Sequence, residues 1–471
     1  MHTPHLPSLR PRAMGSDAYA RPWRMLLLSL LLGIVGGLGA VVFLGMLALA
    51  QRGFLGVLAG VYPLDIAQAT HLHALPPAAH WNLWILLSTT LGGLIAGLLV
   101  YGFAPEAEGH GTDSAVKSFH QLKGYIRARV IVVKSIASAI TIGSGGAAGR
   151  EGPTAQIAAG IGSLLGRLLR LSDDEKRLMV LVGMAAGLSA IFKSPLGTAI
   201  FAVEVLYAGL HFEGRALPFT LAGSALAYAV VCLFTGWGTL FDVPLHVDFD
   251  HPQQLLWYAL LGGVCGVMGT LLPNVFYGVR DGFRKLPLPN HIKPAIGGLL
   301  VGLIALVFPQ ILGGGYGIMQ LAVQGTLGAG ILLLLLLSLF KVVALALTVG
   351  SGGSGGVFAP SLFVGALLGA AFGLLLQRLG IGHEPVAGMA LVGMAAVFGA
   401  AARVPLATTV MVAEMTGGYT LMAPTMLAVA IAYLLQVALA RYTPYPSLYE
   451  AQIYVRSASP PRADDAPPPM P

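Results

Sequence analysis

The stretch TIGSGGAAGREGP at 141–153 ends a glycine-rich run with one arginine and one glutamate, Arg150 and Glu151, inside an otherwise apolar region. An ionisable residue in such a region points to function, because an uncompensated charge in an apolar medium is expensive. The run is not a nucleotide-binding loop, which needs Lys followed by Ser or Thr where Arg150-Glu151 stands. Pro153 suits the first turn of a helix, where its missing N–H is no loss. Gly149, Arg150, Glu151 and Gly152 therefore lie where a helix begins. Such a start offers free backbone N–H groups and the positive end of a helix dipole, which together make an anion site. A second, uncharged start stands at Gly356-Val357-Phe358-Ala359-Pro360, and Gly109-His110-Gly111 reads as a third.

Magnitudes favour several such starts converging on one anion. One helix terminus returns ~0.3–2 kcal/mol, whereas moving an anion into a low-dielectric interior costs on the order of tens of kcal/mol if nothing compensates. A buried lysine or arginine in direct contact would bind more tightly and slow release, and conduction needs binding weak enough to leave. Glu151 carries the same charge as such an anion and sits on the same donors. Its carboxylate can occupy the anion's place and block the path until protonated or displaced. The alternatives are a static ion pair with Arg150 and, for the glycines alone, close helix packing in lipid.

The elements that position these residues belong to a membrane protein. Of the 471 residues, 56% are hydrophobic and 10% charged, against about 25% charged in soluble domains. Lipid must be one of its solvents. The first apolar run, from near Met25 to about Ala50, is too long for a signal peptide, and further runs follow between 82 and 440. Many are short and broken by Gly or Pro, as in transporters with broken helices in two matching halves. The halves show directly: GSGGAAGREGP is matched by GSGGSGGVFAP, LVGMAA at 181–186 recurs at 391–396, Pro195-Leu196 recurs as Pro405-Leu406, and Glu204 recurs as Glu414. This predicts an all-α integral membrane protein, with a first repeat over 21–240 and a second over 254–455. A flexible cytoplasmic arm is expected at 1–20 and a disordered Pro-rich tail at 456–471, with no CBS domains. The net charge of +7 comes from basic residues that flank apolar runs, Arg10, Arg12, Arg21 and Arg24 among them. That sets topology, with a cytoplasmic N-terminus, and excludes a nucleic-acid partner. Cys232 and Cys265 have no metal or disulfide spacing, so no metal is expected. No HExxH or CxxCH motif is present, so no enzyme activity and no cofactor are expected.

These motifs resemble the CLC family of chloride channels and chloride–proton antiporters. GREGP at 149–153 and GGVFAP at 355–360 are similar to two of its signatures, and Tyr449 in PSLYEAQ resembles the tyrosine near its C-terminus. The resemblance implies the CLC fold of many tilted, broken helices in two inverted repeats, a homodimer with one pore per subunit, and chloride as the bound substrate. It implies Glu151 as the gating residue. It also implies that Val357, Phe358 and Tyr449, with Gly149, Arg150, Gly152 and Gly356 around them, face the anion. Two departures stand out. His110 replaces the serine of the family's GSGIP signature. Val205 stands where proton-coupled members carry an internal glutamate, and valine cannot relay a proton. The expectation is therefore a passive, glutamate-gated chloride channel in a bacterial inner membrane; the alternative is a proton-coupled antiporter on the same fold. Glu204 and Glu414 are expected to pair with helix ends or basic groups.

Overall fold

A computed structural model describes residues 21–75, 82–209, 211–243, 249–381 and 385–453. The arm expected at 1–20 and the tail expected at 456–471 lie outside the described residues. The first half contributes α1 (Pro22–Gln51), α2 (Ile66–Ala69), α3 (Leu83–Phe103), α4 (Thr112–Gln121), α5 (Ala128–Gly143), α6 (Glu151–Leu168), α7 (Asp173–Phe192), α8 (Pro195–Glu204) and α9 (Leu217–Thr235). The second contributes α10 (Gln254–Lys285), α11 (Lys293–Val307), α12 (Tyr316–Gln324), α13 (Ile331–Gly350), α14 (Phe358–Arg378), α15 (Val386–Ala402), α16 (Pro405–Thr416) and α17 (Met422–Leu439). Apart from the single-turn α2, the halves correspond helix by helix: α1 with α10, α3 with α11, and so on to α9 with α17. The packing repeats too, since α6 lies on α7 as α14 lies on α15, and α1 on α9 as α10 on α17.

The same local chemistry breaks the chain in both halves. α7 is closed by Lys193 at φ 53° and α15 by Arg403 at φ 58°, both left-handed. Pro195 and Pro405 then open the next helices. A proline cannot continue a helix, and it pushes the residue before it out of the helical region. The result is a pair of short helices, α8 and α16, packed against each other.

These two helices show how the halves are related. Glu204, at the end of α8, accepts the Leu406 and Ala407 N–H groups at 3.0 and 2.7 Å. Glu414, near the end of α16, accepts the Leu196 and Gly197 N–H groups at 3.1 and 2.8 Å and the Ser194 hydroxyl at 2.6 Å. Each helix closes the start of the other, so the two run antiparallel about a two-fold axis that lies across them. Such an axis turns one half upside down relative to the other, and the repeats are inverted.

Among the described residues, seven helical segments are long and apolar enough to cross a membrane. Large apolar side chains stand exposed along the outer helices, such as Leu27 on α1, Leu233 and Phe234 on α9, Leu256 on α10 and Leu332 on α13. In lipid these are solvated. α6, α7, α14 and α15 are buried on nearly every side and form the middle of the protein. Their close approach uses glycine: a Cβ on Gly365 would strike the Gly393 carbonyl, and one on Gly393 would strike that of Gly365.

Candidate anion site

The starts of α6 and α14 meet head to head. The Gly149 N–H donates to the Gly356 carbonyl at 2.7 Å, and the Gly356 N–H donates to the Gly149 carbonyl at 2.6 Å. No side chain fits between the segments: a Cβ on Gly152 would run into the His110 carbonyl, and one on Gly149 into the Glu151 carboxylate. Gly111, at φ +91°, brings the start of α4 against the same place. The N–H groups of Gly149 and Gly356 are thus spent on each other. Those of Val357, Phe358 and Ala359 lie in the first turn of α14, where helix geometry supplies no partner. The Phe358 ring is wedged among Phe192, Phe201 and Phe398, at 4.4, 5.8 and 3.7 Å between centroids, which holds this turn in place.

Glu151 is fully buried, and one carboxylate oxygen accepts the Ala359 N–H at 3.3 Å. The other oxygen has no partner among the described residues. The carboxylate of α6 thus occupies a donor at the start of α14, in a weak attachment for a buried acid. The Arg150 charge acts on this carboxylate without an ion pair. The guanidinium lies over the Tyr316 ring, 4.3 Å from its centroid, and no ion pair among the described residues includes Arg150.

Tyr449 is buried, with its ring edge-on to His110 at 5.4 Å and to Phe201 at 6.1 Å. Its hydroxyl is hydrogen-bonded to that of Thr112. Asp113 accepts the Ala451 N–H at 2.7 Å, so the start of α4 anchors the segment that carries Tyr449. The His110 ring lies between Tyr449 and Phe276, and its Nδ1 has no partner among the described residues.

Two cavities approach this point. One of about 750 Å³ is lined by Ala148, Arg150, Gln310, Gly313, Gly315 and Tyr316. The other, of about 550 Å³, is lined by Gly109, His110, Gly111, Asp113, Gln156 and Arg280. The first is framed by the loop before α12 and the second by the loop before α4, which are counterparts in the inverted repeat. Neither Glu151 nor Tyr449 lines either cavity. The sequence-derived residues therefore converge on the septum between two mouths that open toward opposite faces.

The sequence reading passed over two lysines. Lys134 on α5 is buried and donates to the Ala107 and Gly109 carbonyls at 3.0 and 2.7 Å. Lys341 on α13 is its counterpart and donates to the Ile311 and Gly313 carbonyls at 2.7 and 2.6 Å. Neither forms an ion pair among the described residues. Each side chain holds the loop of one mouth from behind. The signal was available: a lone lysine in an apolar run, present in both repeats at the offset of the glycine motifs.

The model of the family described as voltage gated chloride channel matches residues 92–437. The chain is 35% identical to a ClcB-like chloride channel protein of Ralstonia nicotianae, over 90% of this chain and 95% of that one. It is 31% identical to the H(+)/Cl(-) exchange transporter ClcA of Cronobacter sakazakii, over 90% of each chain. Its fold matches that of a slow cyanobacterial Cl-/H+ antiporter with a TM-score of 0.75 and 25% identity, over 91% of this chain and 97% of that one. The passive channel expected from Val205 is corrected by these likenesses to exchangers. The physical reason lies around that residue. Val205 is buried just past the end of α8 and removes one titratable side chain there, but His120, Tyr207 and Glu213 cluster around the same turn.

Proposed function

The chain belongs to the voltage gated chloride channel family, and on that premise we propose that it exchanges chloride for protons across a bacterial cell membrane. The observation that carries this is the Glu151 carboxylate on the Ala359 N–H, with one oxygen free, in the septum between the two mouths. An anion and this carboxylate compete for the same first-turn donors. When chloride takes Ala359, Phe358 and Val357, Glu151 must leave, and taking up a proton lowers the cost of its leaving. One side chain then answers to both ions, which is what coupling requires. Tyr449 and His110 bound the place on the side of the smaller cavity. Lys134 and Lys341 supply a positive field at both mouths without gripping the anion.

The basic residues favour an orientation. Lys117, Arg127, Arg280 and Arg284 line the smaller cavity, whereas 236–253 and 308–330 contain no Lys or Arg. By the positive-inside rule the smaller cavity is cytoplasmic and the larger one external. Membership of the family supports a homodimer, which native mass measurement in detergent would test.

The test of exchange uses purified protein in liposomes loaded with chloride, with valinomycin to carry the compensating charge and an electrode to follow external pH. The expected result is proton movement against its own gradient, driven by chloride and abolished by an uncoupler. Chloride flux with no coupled protons would overturn the proposal.

A further inference from the structure

A proton-binding group on the cytoplasmic side of Glu151 would serve exchange, and Val205 provides none. Beside it, at the end of α4 and just past α8, three titratable side chains stand together that the anion site does not use. His120 Nε2 lies 2.9 Å from the Leu206 carbonyl. A carbonyl can only accept, so Nε2 carries the hydrogen and Nδ1 of the neutral ring is left as the acceptor. The His120 ring meets the Tyr207 ring edge-on at 5.5 Å. The Tyr207 hydroxyl in turn donates to the Glu213 carboxylate at 3.3 Å. Tyr207 and Glu213 are 5% and 6% exposed, so the chain of groups leads inward from the surface.

The surroundings join this cluster to the anion site. The Leu206 carbonyl that holds His120 also accepts the Ile453 N–H at 3.3 Å, four residues beyond Tyr449. On α8, Val205 lies one turn beyond Phe201, whose ring packs on both Tyr449 and Phe358. The charged group that acts on both His120 and Tyr207 is Arg177 of α7, itself paired with Asp174 at 3.3 Å. Lys117, Lys123 and Arg215 flank the cluster in sequence, and the Glu204 carboxylate is turned away onto α16.

We propose that His120 and Glu213, linked by Tyr207, form the inner proton-binding site of this exchanger, in place of a titratable side chain at 205. The proposal rests on the exchange reading. A proton from cytoplasmic water binds Nδ1 of His120 or the Glu213 carboxylate. It leaves as a proton toward Glu151, past Val205 and Phe201, and no other reactant is consumed. The site lies off the smaller cavity, since His120, Tyr207 and Glu213 are not among its lining residues. His120 is on the face of α4 that carries Asp113 and Lys117, one turn beyond the cavity lining.

The test compares the intact protein with three conservative variants in the liposome assay. His120→Gln keeps a donor for the Leu206 carbonyl, Glu213→Gln keeps an acceptor for Tyr207, and Tyr207→Phe removes only the link. The expected result is that chloride-driven proton movement falls about tenfold or more in His120→Gln and Glu213→Gln, and less in Tyr207→Phe, while chloride flux stays near that of the unaltered protein. Undiminished proton movement in both glutamine variants would overturn the site. So would parallel loss of chloride and proton flux in all three variants, which marks a structural role. If the unaltered protein itself moves no protons uphill, the exchange reading fails, and this site fails with it.

Discussion

The helix pairs α6/α14 and α8/α16 pose the same problem and solve it differently. In both, inverted counterparts meet across the pseudo-two-fold axis, and a carboxylate from one half sits on the first-turn N–H groups of the other. Between α8 and α16 the arrangement is reciprocal and well bonded: Glu414 accepts three hydrogen bonds and Glu204 two, from 2.6 to 3.1 Å. Between α6 and α14 it is one-sided. Glu151 makes one bond to the other half, at 3.3 Å, beside the backbone N–H groups of its own helix start, and keeps an unpartnered oxygen; its counterpart position is the uncharged Phe358. A fully bonded carboxylate on a helix start is a fastener. A poorly bonded one, on donors that an anion could also use, is suited to move.

That contrast is broken most directly by removing each carboxylate. Glu151→Ala is expected to abolish chloride-driven proton movement, a loss of about 100-fold or more, while chloride flux persists and the protein stays monodisperse on heating. Size-exclusion profiles after a temperature ramp, taken beside the flux assay, check both halves of the statement. Aggregation of Glu151→Ala at lower temperature than the unaltered protein would make Glu151 a fastener as well.

Glu414→Ala should do the reverse. A donor left without its acceptor costs up to about 1–3 kcal/mol when buried; these three are partly exposed, so the loss is expected at about 1–3 kcal/mol in all, with a drop in melting temperature. Glu204→Ala strips two donors rather than three but at a buried acid, and should cost at least as much. Ranking the two melting temperatures sharpens the comparison, and a Glu414→Ala variant as stable as the unaltered protein would remove its basis.

The lysines test whether the two mouths are equivalent. A unit charge ~10 Å from an anion at an effective dielectric of ~20 is worth on the order of 1–2 kcal/mol. Lys134→Met and Lys341→Met are each expected to lower chloride affinity roughly tenfold, by similar amounts, because each lysine holds the loop of one mouth in the same way. A large effect from one lysine alone would show that the halves share a fold but not an electrostatic role.

Much of this was legible in the sequence because duplication supplies its own control. Residues present in both halves, such as Pro195 with Pro405 and Glu204 with Glu414, belong to the frame; residues present in one, such as Glu151, are candidates for function. The inverted relation was not legible, because it depends on which ends meet in space. α4 and α12 escaped a search for apolar runs, since TDSAVKSFHQ is polar and both helices are short. Val205 misled for a related reason. One missing carboxylate was read as a missing function, whereas Tyr207 and Glu213 lie within eight residues of it and His120 reaches the same turn from another helix. Proximity of that kind is written in the fold and not in the motif.

The smallest expected effect concerns Tyr449. Its hydroxyl has one proton, and the bond to Thr112 can be made in either direction. If Thr112 donates to the phenol oxygen, the phenol proton is left for an anion; if Tyr449 donates, it is not. Tyr449→Phe is expected to weaken chloride binding by about 1 kcal/mol, roughly fivefold in calorimetry. Thr112→Val, which removes the partner and keeps the shape, should weaken it by less. A double-mutant cycle separates the two directions: with Thr112 as donor, the second substitution adds nothing once the phenol is gone. Chloride affinity unchanged in Tyr449→Phe would remove Tyr449 from the site and leave the first-turn N–H groups of α14 to hold the anion with His110 alone.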